Sequence, residues 1–198
     1  MTEHIRVIVE GDTDEPFARH LVKAAGHDVT AVIPMRGHGE IDKNVGRWSR
    51  PSNVRPMLIL RDLDPDLGKG CAPALVRHLV GSGPHAPMTV FRIAERELEA
   101  WMLADRDALA NYLDVDVAAF PLSPDDEEDP KRTLVNICRQ SASRRIRDGM
   151  VPSQDSGRTV GRQFTGFVLG FGRAHWDPQR ARRRSSSLER AMLALENL

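Results

Sequence analysis

The stretch IRVIVEGDTD, residues 5–14, decides how this chain is read. Ile5-Arg6-Val7-Ile8-Val9 is a short run rich in β-branched residues, the pattern of a strand buried in a parallel sheet. It halts at Glu10-Gly11. Thr13 is placed to cap a helix that begins near Asp14, and Asp14 and Glu15 suit the positive end of that helix's dipole. Phe17, Leu21 and Val22 recur at helical spacing, and Gly26 ends the element. The unit is a strand, an acidic turn and a helix.

Working outward, the same alternation continues. Residues 29–33 (VTAVI) predict a second strand, and the Gly/His/Arg-rich stretch 36–55 holds a short helix around Ile41–Trp48. Residues 57–61 (MLILR) predict a third strand, ending in Asp62-Leu63-Asp64-Pro65-Asp66. A helix around Cys71–Val80 and a strand around Met88–Ile93 follow. Strand and helix in alternation predict an α/β fold, a doubly wound parallel sheet flanked by helices. From Glu97 the pattern turns helical, with helices expected over 98–104, 107–113, 131–140, 160–172 and 187–195. The acidic, Pro-bearing stretch 114–130 reads as a connector and 141–159 as a basic loop. The chain thus divides into an α/β core over 1–113, the connector over 114–130 and a basic helical extension over 131–198 that packs on the core.

With 198 residues and 40% hydrophobic content, the chain suits one domain with an elaborated tail, and global disorder is excluded. No apolar run approaches the roughly 20 residues that span a bilayer, so no membrane partner is expected. The start carries Glu3 and enters a strand at once, unlike a signal peptide, so a cytoplasmic location is expected. Cys71 and Cys138 lie far apart and read as reduced thiols, not as a disulfide framework or a zinc site. Nothing in the pattern fixes an oligomeric state. The net charge is zero but unevenly spread. Residues 131–190 carry 14 Lys/Arg against 4 Asp/Glu, while residues 1–130 carry 14 against 23. That asymmetry points to a polyanionic partner at the basic half. Of 28 basic residues 24 are Arg, which genome base composition can explain; it does not explain why acids are thin in the same segment.

Three acidic groups each follow a predicted strand: Glu10 the first, Asp62 and Asp64 the third, and Glu95, Glu97 and Glu99 the fourth. In an open parallel sheet the strand exits form the ligand crevice, so these groups are expected at one edge. Two bare charges about 4 Å apart cost roughly 4 kcal/mol at an effective dielectric near 20. A hard divalent cation with oxygen ligands resolves that repulsion, and such an ion serves phosphoryl chemistry. Other readings stay open. Asp62 to Asp66 also fits a solvated turn, Glu97 and Glu99 fit an exposed helix start, and Asp105 fits a cap for the helix near Asp107.

Residues 7–14 (VIVEGDTD) resemble the first motif of Toprim domains, a strand followed by Glu-Gly, and residues 58–64 (LILRDLD) resemble the second, a strand followed by Asp-x-Asp. The resemblance implies Glu10 as a general acid/base or metal ligand, and Asp62 and Asp64 as magnesium ligands. The Thr-Asp after Glu-Gly is closer to the OLD-like branch, which adds Asp14 as a metal ligand. Residues 97–105 (ELEAWMLAD), Asp129-Pro130-Lys131 and the tail from Trp176 to Leu188 resemble an uncharacterised Toprim-related family, several of whose members lie near ATPase genes. This likeness spans nearly the whole chain. By their place after the fourth strand, Glu97 and Glu99 would complete one or two ion sites, with magnesium as cofactor and manganese able to substitute. The likeness implies a defence role beside an ATPase partner, and Lys131 as a catalytic cation facing a scissile phosphate. The plain alternative for Lys131 is a helix-start residue after Pro130. Pro65 departs from the Gly-bearing loop of many Toprim enzymes, and a topoisomerase would need a nucleophilic Tyr and a DNA gate. Tyr112, the sole Tyr, fits core packing.

There is no P-loop, no His/Cys zinc pattern and no G-x-S-x-G elbow. His38, between two glycines after the second strand, is either a visitor to the site or a loop residue. Arg144, Arg145, Arg147, Arg180, Arg182, Arg183 and Arg184 can grip a nucleic-acid backbone or form a solvated face. Phe164, Phe167, Phe171 and Trp176 have core spacing rather than that of a base-stacking platform. The expected function is a magnesium-dependent nuclease or related phosphoryl-transfer enzyme acting on nucleic acid. The alternative is a non-catalytic nucleic-acid- or partner-binding module with the same fold.

Overall fold

β-branched side chains favour extended backbone at Ile5, Val7, Ile8 and Val9, and the first strand, β1, runs His4–Val9. Strand β2 covers Asp28–Pro34, β3 Met57–Asp62 and β4 Thr89–Ala94. The structure, a computed structural model, describes residues 1–63, 71–94 and 98–198. The candidate residues Asp64 and Glu97 lie outside the described residues, as do Pro65, Asp66 and Glu95.

All four strands are parallel and stand in the order β2-β1-β3-β4. The two-residue pleat sorts their side chains. Ile5, Val7 and Val9 of β1, Leu58 and Leu60 of β3, and Val90 and Ala94 of β4 join the larger apolar core on one face. Ile8, Met57, Ile59, Phe91 and Ile93 join a second core on the other. Burial on both faces explains the unbroken apolar strands. Helix α1 (Glu15–Ala24) belongs to the first face, through Phe17, Ala18, Leu21 and Val22. Helices α2 (His38–Trp48) and α3 (Ala72–Val80) belong to the second, through Ile41, Val45 and Leu75. The chain therefore changes direction between β1 and β3, and the switch point of the sheet lies at the carboxyl ends of those two strands.

The remaining helices are α4 (Leu98–Ala104), α5 (Arg106–Leu113), α6 (Pro130–Cys138), α7 (Arg144–Met150), α8 (Phe164–Ala174), α9 (Pro178–Ala181) and α10 (Ser186–Glu196). Single 3-10 turns occupy Val117–Ala119 and Pro124–Asp126 within the acidic connector. Trp101, Leu134, Phe171 and Leu188 from these helices share one core with Ile5 and Phe17. Phe17 meets Trp176 edge-on at 5.0 Å. Gly172 makes room for it, since a Cβ there would stand 2.7 Å from the Phe17 ring. Buried His27 ties the two chain ends together: its Nδ1 accepts the Glu3 N–H, so Nε2 carries the proton and donates to the Leu195 carbonyl at 2.9 Å.

Three local expectations need correction. The stretch 141–159 is not wholly a loop, because Ile146 and Met150, one turn apart, bury the face of α7. The next helix starts at Phe164 rather than 160, because Gly161 packs its backbone against α7, and the short α9 goes unforeseen. The N-cap of α1 is Asp14, not Thr13, and Asp14 makes no side-chain cap bond.

Candidate functional site

Glu10 is the first residue past β1, and Asp62 is the last residue of β3. Because the two strands are hydrogen-bonded neighbours, their exits coincide. The Asp62 N–H donates to Glu10 Oε1 at 2.9 Å. Glu10 Oε2 faces no hydrogen-bond donor among the described residues. Burial pushes the Glu10 carboxyl above its ordinary range and the Asp14 charge pushes the same way, against the Asp62 N–H, Arg61 and His38. His38 thus does reach the neighbourhood of the site.

Asp14 folds back on its own loop. Its Oδ2 accepts the Gly11 N–H at 2.8 Å, and the Thr13 hydroxyl donates to Oδ1 at 3.2 Å. These bonds fix the 10–14 turn, which is the job a short acidic side chain does well in turns. Burial raises the Asp14 carboxyl, while the Gly11, Thr13 and Glu10 bonds and the Lys131 charge pull it down. Lys131, on the first turn of α6, stands 3.5 Å from Glu99 Oε1 on α4. Glu10, Asp62, Asp14 and Lys131 therefore surround the switch point, and Glu99 approaches it through Lys131.

Beneath this site lies a feature that strand patterning did not single out. Arg61 on β3 is buried, and its Nε and Nη2 donate to Asp42 of α2 at 2.8 and 3.0 Å. Its Nη1 donates to the Asp62 carbonyl. One guanidinium thus locks α2 to the strand that delivers Asp62. The signal was available: a lone Arg inside MLILR must be paired if buried.

Trp101 and Asp105 of the 97–105 block have structural duties. Trp101 Nε1 donates to Ser187 Oγ at 2.6 Å, and Trp176 Nε1 donates to the Trp101 carbonyl at 3.0 Å. Asp105 stands at the N-cap of α5 but does not cap it by side chain. Its buried carboxylate accepts from Arg180 Nε and Nη2 at 2.9 and 2.8 Å and from the Asp177 N–H. Tyr112 packs against Phe167 and Phe171 and donates to the Phe167 carbonyl at 3.1 Å. Burial pushes the Cys138 thiol up to about 12, and both cysteines are free thiols.

The candidate arginines have diverse surroundings. Arg144 pairs with Asp148, Arg145 lies over the Phe167 ring at 5.3 Å, and Arg147 donates to the carbonyls of Ser141 and Ala142. Arg182 is bonded to Glu189 and Glu196 of α10. Arg183 is exposed, and Arg184 approaches Asp107 at 4.0 Å.

Among the described residues no group of three His, Cys, Asp or Glu side chains could hold a metal ion. Magnesium, however, is commonly bound by one or two carboxylates, with water and substrate phosphate completing the shell. Glu10 is one such hard oxygen donor, its carboxyl raised mainly by burial, and Asp62 adjoins it through its backbone N–H. Carboxylate oxygen is the donor type that a hard divalent cation takes.

Fold and site define an open, all-parallel α/β protein with Glu10 and Asp62 side by side at the switch point of its sheet. A solved structure, the C-terminal region of the Xanthomonas campestris pv. campestris OLD protein, is similar to 98% of this chain over 96% of its own, at 16% identity and a TM-score of 0.40. No protein-family model and no curated protein matches the chain. Among the described residues no helix is long and apolar enough to cross a membrane.

Proposed function

We propose that this chain is a Toprim-like, magnesium-dependent phosphodiesterase acting on nucleic acid. The observation that carries the reading is the 2.9 Å bond from the Asp62 N–H to Glu10, which places two acidic strand exits at one switch point. Glu10 and Asp62 would hold the ion, with Asp14, Asp64, Glu97 and Glu99 as further candidates. Bound there, magnesium or manganese would neutralise phosphate charge and lower the pKa of a water. The chain's own residues do the rest. Arg61 holds the Asp62 backbone in place, and Glu10 Oε2 is free to take a proton from the attacking water. Lys131 sits where its ammonium can leave Glu99 for a phosphate oxygen.

The test is cleavage of plasmid and single-stranded DNA with magnesium or manganese, comparing the wild type with Asp62→Asn. The reading expects metal-dependent cleavage that falls at least a hundredfold in the variant, on the order of one lost metal ligand. Equal rates in the two proteins would remove the catalytic assignment. A second reading, a non-catalytic binding module, is favoured by the Lys131–Glu99 pair, which neutralises part of the site from within the chain. Absence of cleavage together with retained DNA binding would select it.

A further inference from the structure

Two depressions lie side by side between α6, α7 and the loop that follows α7. One encloses about 640 Å³ and the other about 620 Å³. They share Arg139, Pro152 and Arg158 in their walls and so adjoin as two lobes of one basic surface groove. Arg147 and Arg162 line its far end, and Lys131 and Arg132 its near end. Lys131 is also the residue that pairs with Glu99 beside the acidic pocket, so the groove leads to the switch point.

The charge in the groove is not cancelled within it. Among the described residues its acids are Asp148, Glu128 and Asp129. Asp148 is paired with Arg144, and Asp129 caps α6 while approaching Arg132 at 3.8 Å. Arg139, Arg147, Arg158 and Arg162 have no ion pair with any described acid. A concave surface with uncompensated guanidinium groups focuses a positive field.

The fold builds this wall deliberately. Residues 151–160 form a loop whose ends meet: the Gly161 N–H donates to the Met150 carbonyl at 2.9 Å, and the Gln163 N–H to the Gly149 carbonyl at 3.0 Å. Gly161 must be Gly, because a Cβ there would lie 2.2 Å from the Gly149 oxygen. That closure brings Arg158 and Arg162 to the groove opposite Arg139 and Arg147.

We infer that this groove is a track for the phosphate backbone of a nucleic-acid strand running toward the Glu10–Asp62 pocket. The direction of the strand rests on the nuclease reading; the track stands on its own residues. Two linked depressions call for a repeating anion rather than a single one. No aromatic side chain lines either depression, so bases are not stacked and recognition is through the backbone, without sequence preference. Arg132, Arg139, Arg158 and Arg162 were not singled out from the sequence, because their clustering depends on the loop's closure.

The test is the affinity of a fluorescent random-sequence DNA duplex for the full chain in EDTA, as a function of salt. Arg158→Gln with Arg162→Gln is compared with Arg50→Gln with Arg77→Gln, which removes equal charge beside α2 and on α3. The track expects the first pair to weaken binding roughly tenfold and to reduce the salt slope by about 0.9 per arginine, and the second pair to change neither. Equal loss in both pairs, or no loss in the first pair with melting temperature unchanged, overturns it. So does displacement of the duplex by tripolyphosphate at equal phosphate concentration, which would mark a site for free polyphosphate. Because EDTA removes the metal, failure of cleavage leaves the track standing, and failure of the track leaves cleavage to be judged alone.

Discussion

At the scale of single residues, two groups beneath the acidic pocket determine how it behaves. Arg61 is buried and its charge is balanced by Asp42. Asp42→Asn leaves a charged guanidinium inside the protein, and removal of one partner of such a pair costs about 3–5 kcal/mol. Urea denaturation checks this, with a lower midpoint at unchanged slope. Replacing both partners by apolar residues, as in Arg61→Met with Asp42→Leu, returns most of the loss, because no bare charge remains. Glu10 offers a pH test. Its carboxyl is raised in the folded chain, mainly by burial. The unfolded chain releases that proton at the ordinary carboxylate pH, so the native state binds more protons in the window just above it. Stability contributed by this group therefore falls as pH rises through that window and stays low above the folded value. Glu10→Gln keeps an acceptor for the Asp62 N–H but carries no charge. In EDTA it melts higher than the wild type at neutral pH, and the gap closes on acidification. A gap that widens toward acid would mean that the Glu10 anion is already well compensated without metal.

At the scale of elements, strands and turns were legible where local chemistry and burial agree. The four strands read from IRVIV, VTAVI, MLILR and residues 88–93 lie within a residue or so of those observed, because apolar runs of that length can only be buried strands here. Helix α4 matches its expected range, 98–104. Helix α7 was hidden by its own charge, since Arg144, Arg145 and Arg147 mask the Ile146–Met150 spacing. The start of α8 was hidden for another reason: the contact of Gly161 with Gly149 is made across the loop and leaves no periodic trace. Gly161→Ala is therefore expected to open the 151–160 loop. Overpacking of this kind costs about 1–3 kcal/mol, or roughly 2–12 °C in melting temperature for a chain of this size. Faster proteolysis between residues 151 and 160 would report the opening, and an unaltered digest would mean that the backbone accommodates the methyl. Helix α9 is held by a different device. Asp105 is 2% exposed and accepts two bonds from Arg180. Asp105→Ala breaks charge-assisted bonds worth about 1.5–3 kcal/mol each, though Arg180 is half exposed, so water softens the loss to about 2 kcal/mol. Thermal melting measures it, and Arg180→Ala should cost more, because it leaves the buried Asp105 carboxylate without its cation.

At the scale of the whole molecule, the acidic and basic portions of the chain meet at one place. Residues 1–130 supply the Glu10–Asp62 site, and the basic side chains of the groove come from residues 131–162. The adjacency of Glu10 and Asp62 was legible because the exits of neighbouring parallel strands are brought together by topology alone. The groove was not legible, because Arg139 and Arg158 are joined only by tertiary packing. The two regions make opposite demands on ions, and this gives a test of the intact protein. A divalent cation that binds the folded pocket and not the unfolded chain stabilises by mass action, about 2.7 kcal/mol when its concentration is a hundred times Kd. For a chain of this size that is a rise of roughly 5–11 °C in melting temperature. The rise should be largely absent in Asp62→Asn, while Arg158→Gln with Arg162→Gln should keep it in full, because those arginines lie in the groove and not in the pocket. Calcium offers a further comparison, since it takes more ligands at longer distances and tolerates irregular geometry. If magnesium moves the wild type and Asp62→Asn equally, the ion binds elsewhere, and Glu10 and Asp62 are joined only by the hydrogen bond between them.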